Sequence, residues 1–201
     1  MMAERSRPQE MREAVDIGRL AEREVKFVKT LAMSLAAVLA SPPARAADFD
    51  PVAFVTAHNK WRADVGVTEK LSYSPGLAQA AQAWADSLKR THHCQMRHSN
   101  LDGRYGENLY WASAMQWSDG RKEWQRVTPE QVVVSWASEK GHYDYDSNSC
   151  APEQVCGHYT QVVWRTTRTV GCAMAACEDN KEQVWVCQYE PAGNWAGERP
   201  Y

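Results

Sequence analysis

Apolar residues recur at helical spacing through most of the chain and give way to strand-like runs near its end. Phe54, Val55, His58, Trp61, Arg62 and Val65 follow Pro51 with a period of about 3.6, and Gly66 comes next, so a helix is expected over 51–65. Ser74 as N-cap, Pro75 in the first turn and the stripe Leu77, Ala80, Ala81, Trp84, Ala85, Leu88 predict a second helix over 74–90. Thr91–Arg104 is polar and reads as a loop. Glu107–Met115 is expected to form a short helix, and Ser118–Arg126 reads as turn-like. Thr128 and Pro129 open a further helix, Glu130–Lys140, which Gly141 ends. Tyr159–Trp164, Val170–Ala176 and Gln183–Tyr189 are rich in β-branched and aromatic residues and predict strands. The tail from Pro191 reads as coil. Helices first and antiparallel strands later give an α+β fold with helices covering a sheet.

The N-terminal part has a different character. Lys26 and Lys29 precede an apolar run, Thr30–Ala40, followed by Pro42, Pro43 and the small-x-small triplet Ala44-Arg45-Ala46. The run is 11 residues long, against about 20 for a membrane span. It therefore reads as a signal peptide within a leader over 1–46, cleaved near Ala46. Twenty-five residues precede the lysine, so the true start could lie later, near Met11. Residues 47–201 then form a single domain without a transmembrane segment. They hold 19 acidic and 15 basic side chains, a net charge of −4, and no basic block that fits nucleic acid.

Six cysteines, Cys94, Cys150, Cys156, Cys172, Cys177 and Cys187, all follow the leader. An even count in an exported chain predicts three disulfides. Cys150 and Cys156 are close enough to staple the loop between them; the other four leave several connectivities open. Export places the protein outside the cell, or in the periplasm of a bacterium.

Four side chains are candidates for chemistry: His58, Glu107, Glu139 and His158. Two imidazoles and two carboxylates suit a Zn²⁺ site or a proton-transfer pair, but their spacing does not bring them together. His92, His93 and His98 form a weaker metal candidate, more simply a solvated loop. The chain has no HExxH, nucleophile elbow, P-loop or dinucleotide fingerprint.

Five ordered blocks carry a resemblance. They are His58-Asn59 with Arg62; Gly106-Glu107-Asn108-Leu109-Tyr110; Trp136 with Glu139-Lys140 and Tyr143-Asp144-Tyr145; Gly157 to Trp164; and Val184 to Asn194. Over 51–201 the chain resembles the CAP superfamily, the cysteine-rich secretory, antigen 5 and pathogenesis-related 1 proteins, and is nearest the last branch. The resemblance implies a three-layer α-β-α sandwich with a central antiparallel sheet. It implies a cavity of His58, Glu107, Glu139 and His158, with His58 and His158 as ligands where a member binds Zn²⁺ or another divalent cation; no cofactor is required. It implies the pairs Cys94–Cys177, Cys150–Cys156 and Cys172–Cys187. The tail from Pro191 resembles a C-terminal peptide that plant relatives release as a defence signal, with Glu198 where many have glutamine; the plainer reading is a structural tail packed over the sheet.

The function expected from this is a secreted, monomeric, non-enzymatic binding protein for a sterol, a fatty-acid-like lipid or an extracellular protein partner, in defence or host interaction. The alternative is a metal-dependent hydrolase or peptidase in which Glu107 or Glu139 activates a metal-bound water. A third reading is a structural or antimicrobial surface protein.

Overall fold

The computed structural model describes residues 49–201. The leader, with its apolar run and cleavage site, lies outside them. Helix α1 (Pro51–Asp64) starts where the Asp50 carboxylate accepts the Val52 N–H at 2.9 Å. The two-residue strand β1 (Ser72–Tyr73) follows, then α2 (Pro75–His92), capped by Ser74 as expected. Next come β2 (Gly106–Ala112), β3 (Ala114–Gln116), β4 (Lys122–Trp124) and α3 (Pro129–Ala137). Thr128 and Gln131 close a reciprocal capping box on α3. A 3₁₀ turn, Ser138–His142, leads to the short hairpin β5 (Tyr143–Asp144) and β6 (Ser149–Cys150). Helix α4 (Gly157–Val162) and the long strands β7 (Thr169–Cys177) and β8 (Glu182–Glu190) complete the order.

The main sheet runs β1-β7-β8-β2, antiparallel except for β1, which lies parallel to β7. Alternation along its strands sends side chains to two different cores. Ala173, Ala175, Val184, Val186 and Leu109 meet Ala81, Ala85 and Leu88 of α2. Val170, Cys172, Trp185, Cys187 and Tyr189 meet Phe54 and Ala57 of α1, Val132, Val133 and Trp136 of α3, and Tyr159 and Val162 of α4. This is the expected α-β-α sandwich. The α2 layer sits very close: a Cβ on Gly171 would collide with the Ala78 nitrogen and the Leu77 side chain. Only a residue without a side chain lets the first turn of α2 rest on β7. Burying Leu88 completely contributes about 2 kcal/mol to this contact.

The disulfides join Cys94 to Cys177, Cys150 to Cys156 and Cys172 to Cys187. The first ties the loop after α2 to the end of β7 across 83 residues. The last joins directly opposed residues of β7 and β8.

Three elements differ from the sequence expectation. Glu107–Met115 is not a helix: Gly106–Ala112 pairs with β8 along its whole length, and the partner that makes it a strand lies far along the chain. Tyr159–Trp164 is not a strand: Gly157–Val162 is helical despite its β-branched residues, because its N-terminal amides find an acceptor in Glu139. Within the turn-like stretch, Lys122–Trp124 pairs with Ala114–Gln116 as a small hairpin. The tail is coil, and its hydrogen bonds go mainly to α4 and the β5–β6 hairpin, through Thr160–Asn194, Asn148–Glu198 and Tyr145–Tyr201.

Candidate functional site

The first-helix block turns out to hold the fold. His58 is completely buried. Its Nδ1 lies 2.8 Å from the Phe54 carbonyl, which can only accept, so Nδ1 carries the proton. Its Nε2, 2.9 Å from the Tyr189 hydroxyl, must then accept. Burial, with a smaller contribution from the Arg62 charge, lowers the His58 pKa to about 4. Burial also pushes the Tyr189 phenol well up. Asn59 exchanges two hydrogen bonds with the Leu71 backbone. Arg62, buried, donates to the carbonyls of Glu69, Trp164 and Thr167, and burial lowers its pKa to about 10. These three residues stitch α1 to β8, to the segment just before β1 and to the segment after α4.

Glu139 and His158 do come together. The Glu139 Oε1 lies 2.6 Å from His158 Nδ1, while Oε2 accepts the backbone N–H groups of His158 and Tyr159 at 2.9 and 3.1 Å. The imidazole stacks on Trp136 at 6.4 Å and 14°. Glu107 finds a different histidine. Its Oε1 accepts from His98 Nδ1 and Ser99 N, both at 2.9 Å; its Oε2 accepts from Ser99 Oγ at 2.6 Å and Gln188 Nε2 at 3.3 Å. Burial would raise the Glu107 pKa, but the bonds from His98, Ser99 and Gln188 outweigh it and the net shift is downward. The Glu107 bond raises the pKa of His98.

The expected four-residue cavity is therefore not assembled as His58, Glu107, Glu139 and His158. Glu107 opposes Gln188 in register and shares the α2 face with Leu109, whereas His58 lies on the other face against Tyr189. The structure offers two carboxylate–histidine pairs beside the start of β2. One contains Glu107 itself; the other is tied to β2 where Asn108 Nδ2 donates to the His158 carbonyl at 3.1 Å. Gly106 keeps this corner open to α4, since a Cβ there would strike the Gln161 side chain.

A ligating histidine needs one nitrogen free and the other oriented, commonly by a carboxylate. His98 and His158 meet that requirement, because each Nδ1 faces a glutamate and no described residue bonds either Nε2. His58 does not, which corrects its expected role as a ligand: both of its nitrogens are engaged inside the core. Among the described residues, no three His, Cys, Asp or Glu side chains are arranged to hold a metal ion. Each of these two histidines leaves one nitrogen available to a cation. His98 stood in the sequence as one member of a histidine-rich loop. Its place nine residues before Glu107 was visible, but the turn that folds the loop back onto β2 was not.

A separate cavity of about 440 Å³ opens at the far end of the sheet. Trp185 and Met174 form its floor, with Phe49, Trp124 and Val127 around it. It lies on the aromatic face.

The family model "CAP: Cysteine-rich secretory protein family" matches residues 55–189. The chain is 44% identical over 151 residues to pathogenesis-related protein PRMS of Zea mays, covering 75% of this chain and 82% of that one. It is 45% identical over 148 residues to pathogenesis-related protein 1A of Nicotiana tabacum, covering 74% and 79%. Venom allergen-like protein 4 of Schistosoma mansoni shares the fold with a TM-score of 0.56 at 24% identity, over 75% of this chain and 92% of that one. With its α-β-α layers and three disulfides, the chain belongs to the CAP family of cysteine-rich secretory proteins and is similar to its pathogenesis-related 1 members.

Proposed function

We propose that this is a secreted, non-enzymatic CAP protein that binds an apolar extracellular ligand of sterol or fatty-acid size, in a defence or host-interaction setting like that named for its plant relatives. The observation that carries this reading is the cavity beside Trp185, with aromatic and thioether walls and a few polar groups at its edge. Three disulfides fit an oxidising compartment, and no helix among the described residues is long and apolar enough to cross a membrane. A divalent cation, where present, would be drawn to the free nitrogens of His98 and His158.

The hydrolase reading gains nothing from the geometry. Glu107 accepts four hydrogen bonds and Glu139 three, so both carboxylates are committed to holding protein groups. Neither is poised to take a proton from water.

Titration of the secreted, oxidised protein with labelled cholesterol and labelled palmitate tests the reading. Saturable binding that is weakened by Met174→Trp, which fills the cavity, is expected. Absence of saturable binding across a broad lipid panel would sink it.

A further inference from the structure

The cavity beside Trp185 has an uneven chemistry. Three aromatic rings line it, from Phe49, Trp124 and Trp185. Phe49 and Trp185 are fixed against each other at 5.3 Å between centroids, and Phe54 packs on both. Trp124, on β4, carries the Lys181 ammonium 4.2 Å from its ring centroid. Such a wall offers ring faces and edges rather than a smooth aliphatic surface.

Its charges do not cancel. Arg126 and Glu178 both line the cavity. The Glu178 carboxylate already accepts from Lys181 Nζ at 3.3 Å. Arg126 has no hydrogen bond or ion pair to any described residue, so among the described residues one positive charge at the cavity has no partner.

The wall also holds donors without partners. The indole N–H groups of Trp124 and Trp185 are buried and bond to nothing; among the described residues only Trp164 Nε1 and Gln188 Oε1 share that condition. Buried donors without partners are uncommon and call for a physical explanation. Both N–H groups are covered by protein, so an acceptor reaches one only when the indole turns toward the cavity.

We propose that this cavity selects a ring-bearing anion, an aromatic carboxylate or sulfonate, over a neutral lipid. The proposal rests on reading the cavity as the ligand site and narrows its chemistry. Rings gain edge and face contacts with Phe49, Trp124 and Trp185 that an alkyl chain does not. An anionic oxygen pair suits the planar fork of Arg126, and its oxygens are acceptors for the Trp124 indole once that ring turns toward them.

Calorimetric titration at low salt with three probes decides it: 2-naphthoate, 2-naphthylmethanol and decanoate. The acid should bind about tenfold tighter than the alcohol, since one charge-assisted contact separates them. Decanoate, charged but ringless, should bind more weakly than naphthoate. Arg126→Gln, at an exposed position, should bring the acid down toward the alcohol, and Trp124→Phe, which keeps a ring but removes the N–H, should weaken the acid severalfold. Melting curves of both variants check that they fold. Equal affinity for acid and alcohol, or an acid affinity untouched by Arg126→Gln, overturns the proposal. If neutral lipids bind while those results hold, only the anion preference falls; if no probe and no lipid binds, the ligand-site reading falls with it.

Discussion

His58 and His98 are the same side chain in opposite surroundings. His58 is sealed in the core, with one nitrogen on a carbonyl and the other on a phenol. His98 has a side chain 63% exposed, with one nitrogen on the Glu107 carboxylate. Burial makes the first neutral and inert; the carboxylate makes the second easier to protonate and leaves its other nitrogen outward. A histidine in a motif can thus be a beam or a tool, and the neighbour on its Nδ1 decides which. His158 shares only the geometry of His98, with its Nδ1 on a carboxylate, that of Glu139.

The widest separation between the two kinds should come from truncation. His58→Ala leaves the Tyr189 hydroxyl and Phe54 carbonyl without their partner and opens a void, so unfolding free energy should fall by about 3 kcal/mol or more. Chemical denaturation measures this, and a loss below 1 kcal/mol, on the order of a surface change, would end the distinction. Acid should produce a loss of similar size. The folded-state pKa of His58 is about 4 against 6.5 unfolded. Between these values the unfolded chain takes up a proton that the folded chain refuses. Stability from this group is thus complete above pH 6.5 and declines as pH falls to about 4, by about 3 kcal/mol in all. Melting temperatures across that range should show the decline in the parent and not in His58→Gln.

Tyr189→Phe should cost about 1–2 kcal/mol, because it strips His58 Nε2 of its donor while keeping the ring. An unchanged denaturation midpoint would mean that the hydroxyl does not matter. Smallest should be His98→Asn, under about 1 kcal/mol, because His98 is exposed and three other hydrogen bonds still hold the buried Glu107 carboxylate. Its pH signature has the opposite sign. The His98 pKa is raised above 6.5, so its contribution is complete below pH 6.5 and fades as pH rises through the raised value. With chelator present, the parent should lose a little stability above pH 6.5 that His98→Asn does not; matching slopes would remove His98 from the pair.

Much of the frame was legible in the sequence. The stripe Leu77, Ala81, Ala85, Leu88 and the caps Ser74 and Thr128 are local signals, and the helices follow them. β7 and β8 were legible because both are long and rich in β-branched or aromatic residues. β2 was not, because what makes it a strand is β8, some seventy residues further on. α4 was hidden for the converse reason: Tyr159, Thr160, Val162 and Val163 favour strand, and a carboxylate from the preceding 3₁₀ turn overrides them. At the site, only the resemblance grouped Glu139 and His158, within a cavity of four; the spacing of the residues did not, and their direct contact is seen only in the fold. The exchange of His58 for His98 could not be foreseen, since burial and loop return depend on the whole fold.

The Glu139 carboxylate holds the His158 ring and the amides of His158 and Tyr159 with the same two oxygens. If the Glu139 side chain swings away, the imidazole and the first turn of α4 lose their acceptor together. The amide protons of residues 158 and 159 exchange with solvent only when that grip opens, so their exchange rate acts as a clock for how often the site lets go of its histidine.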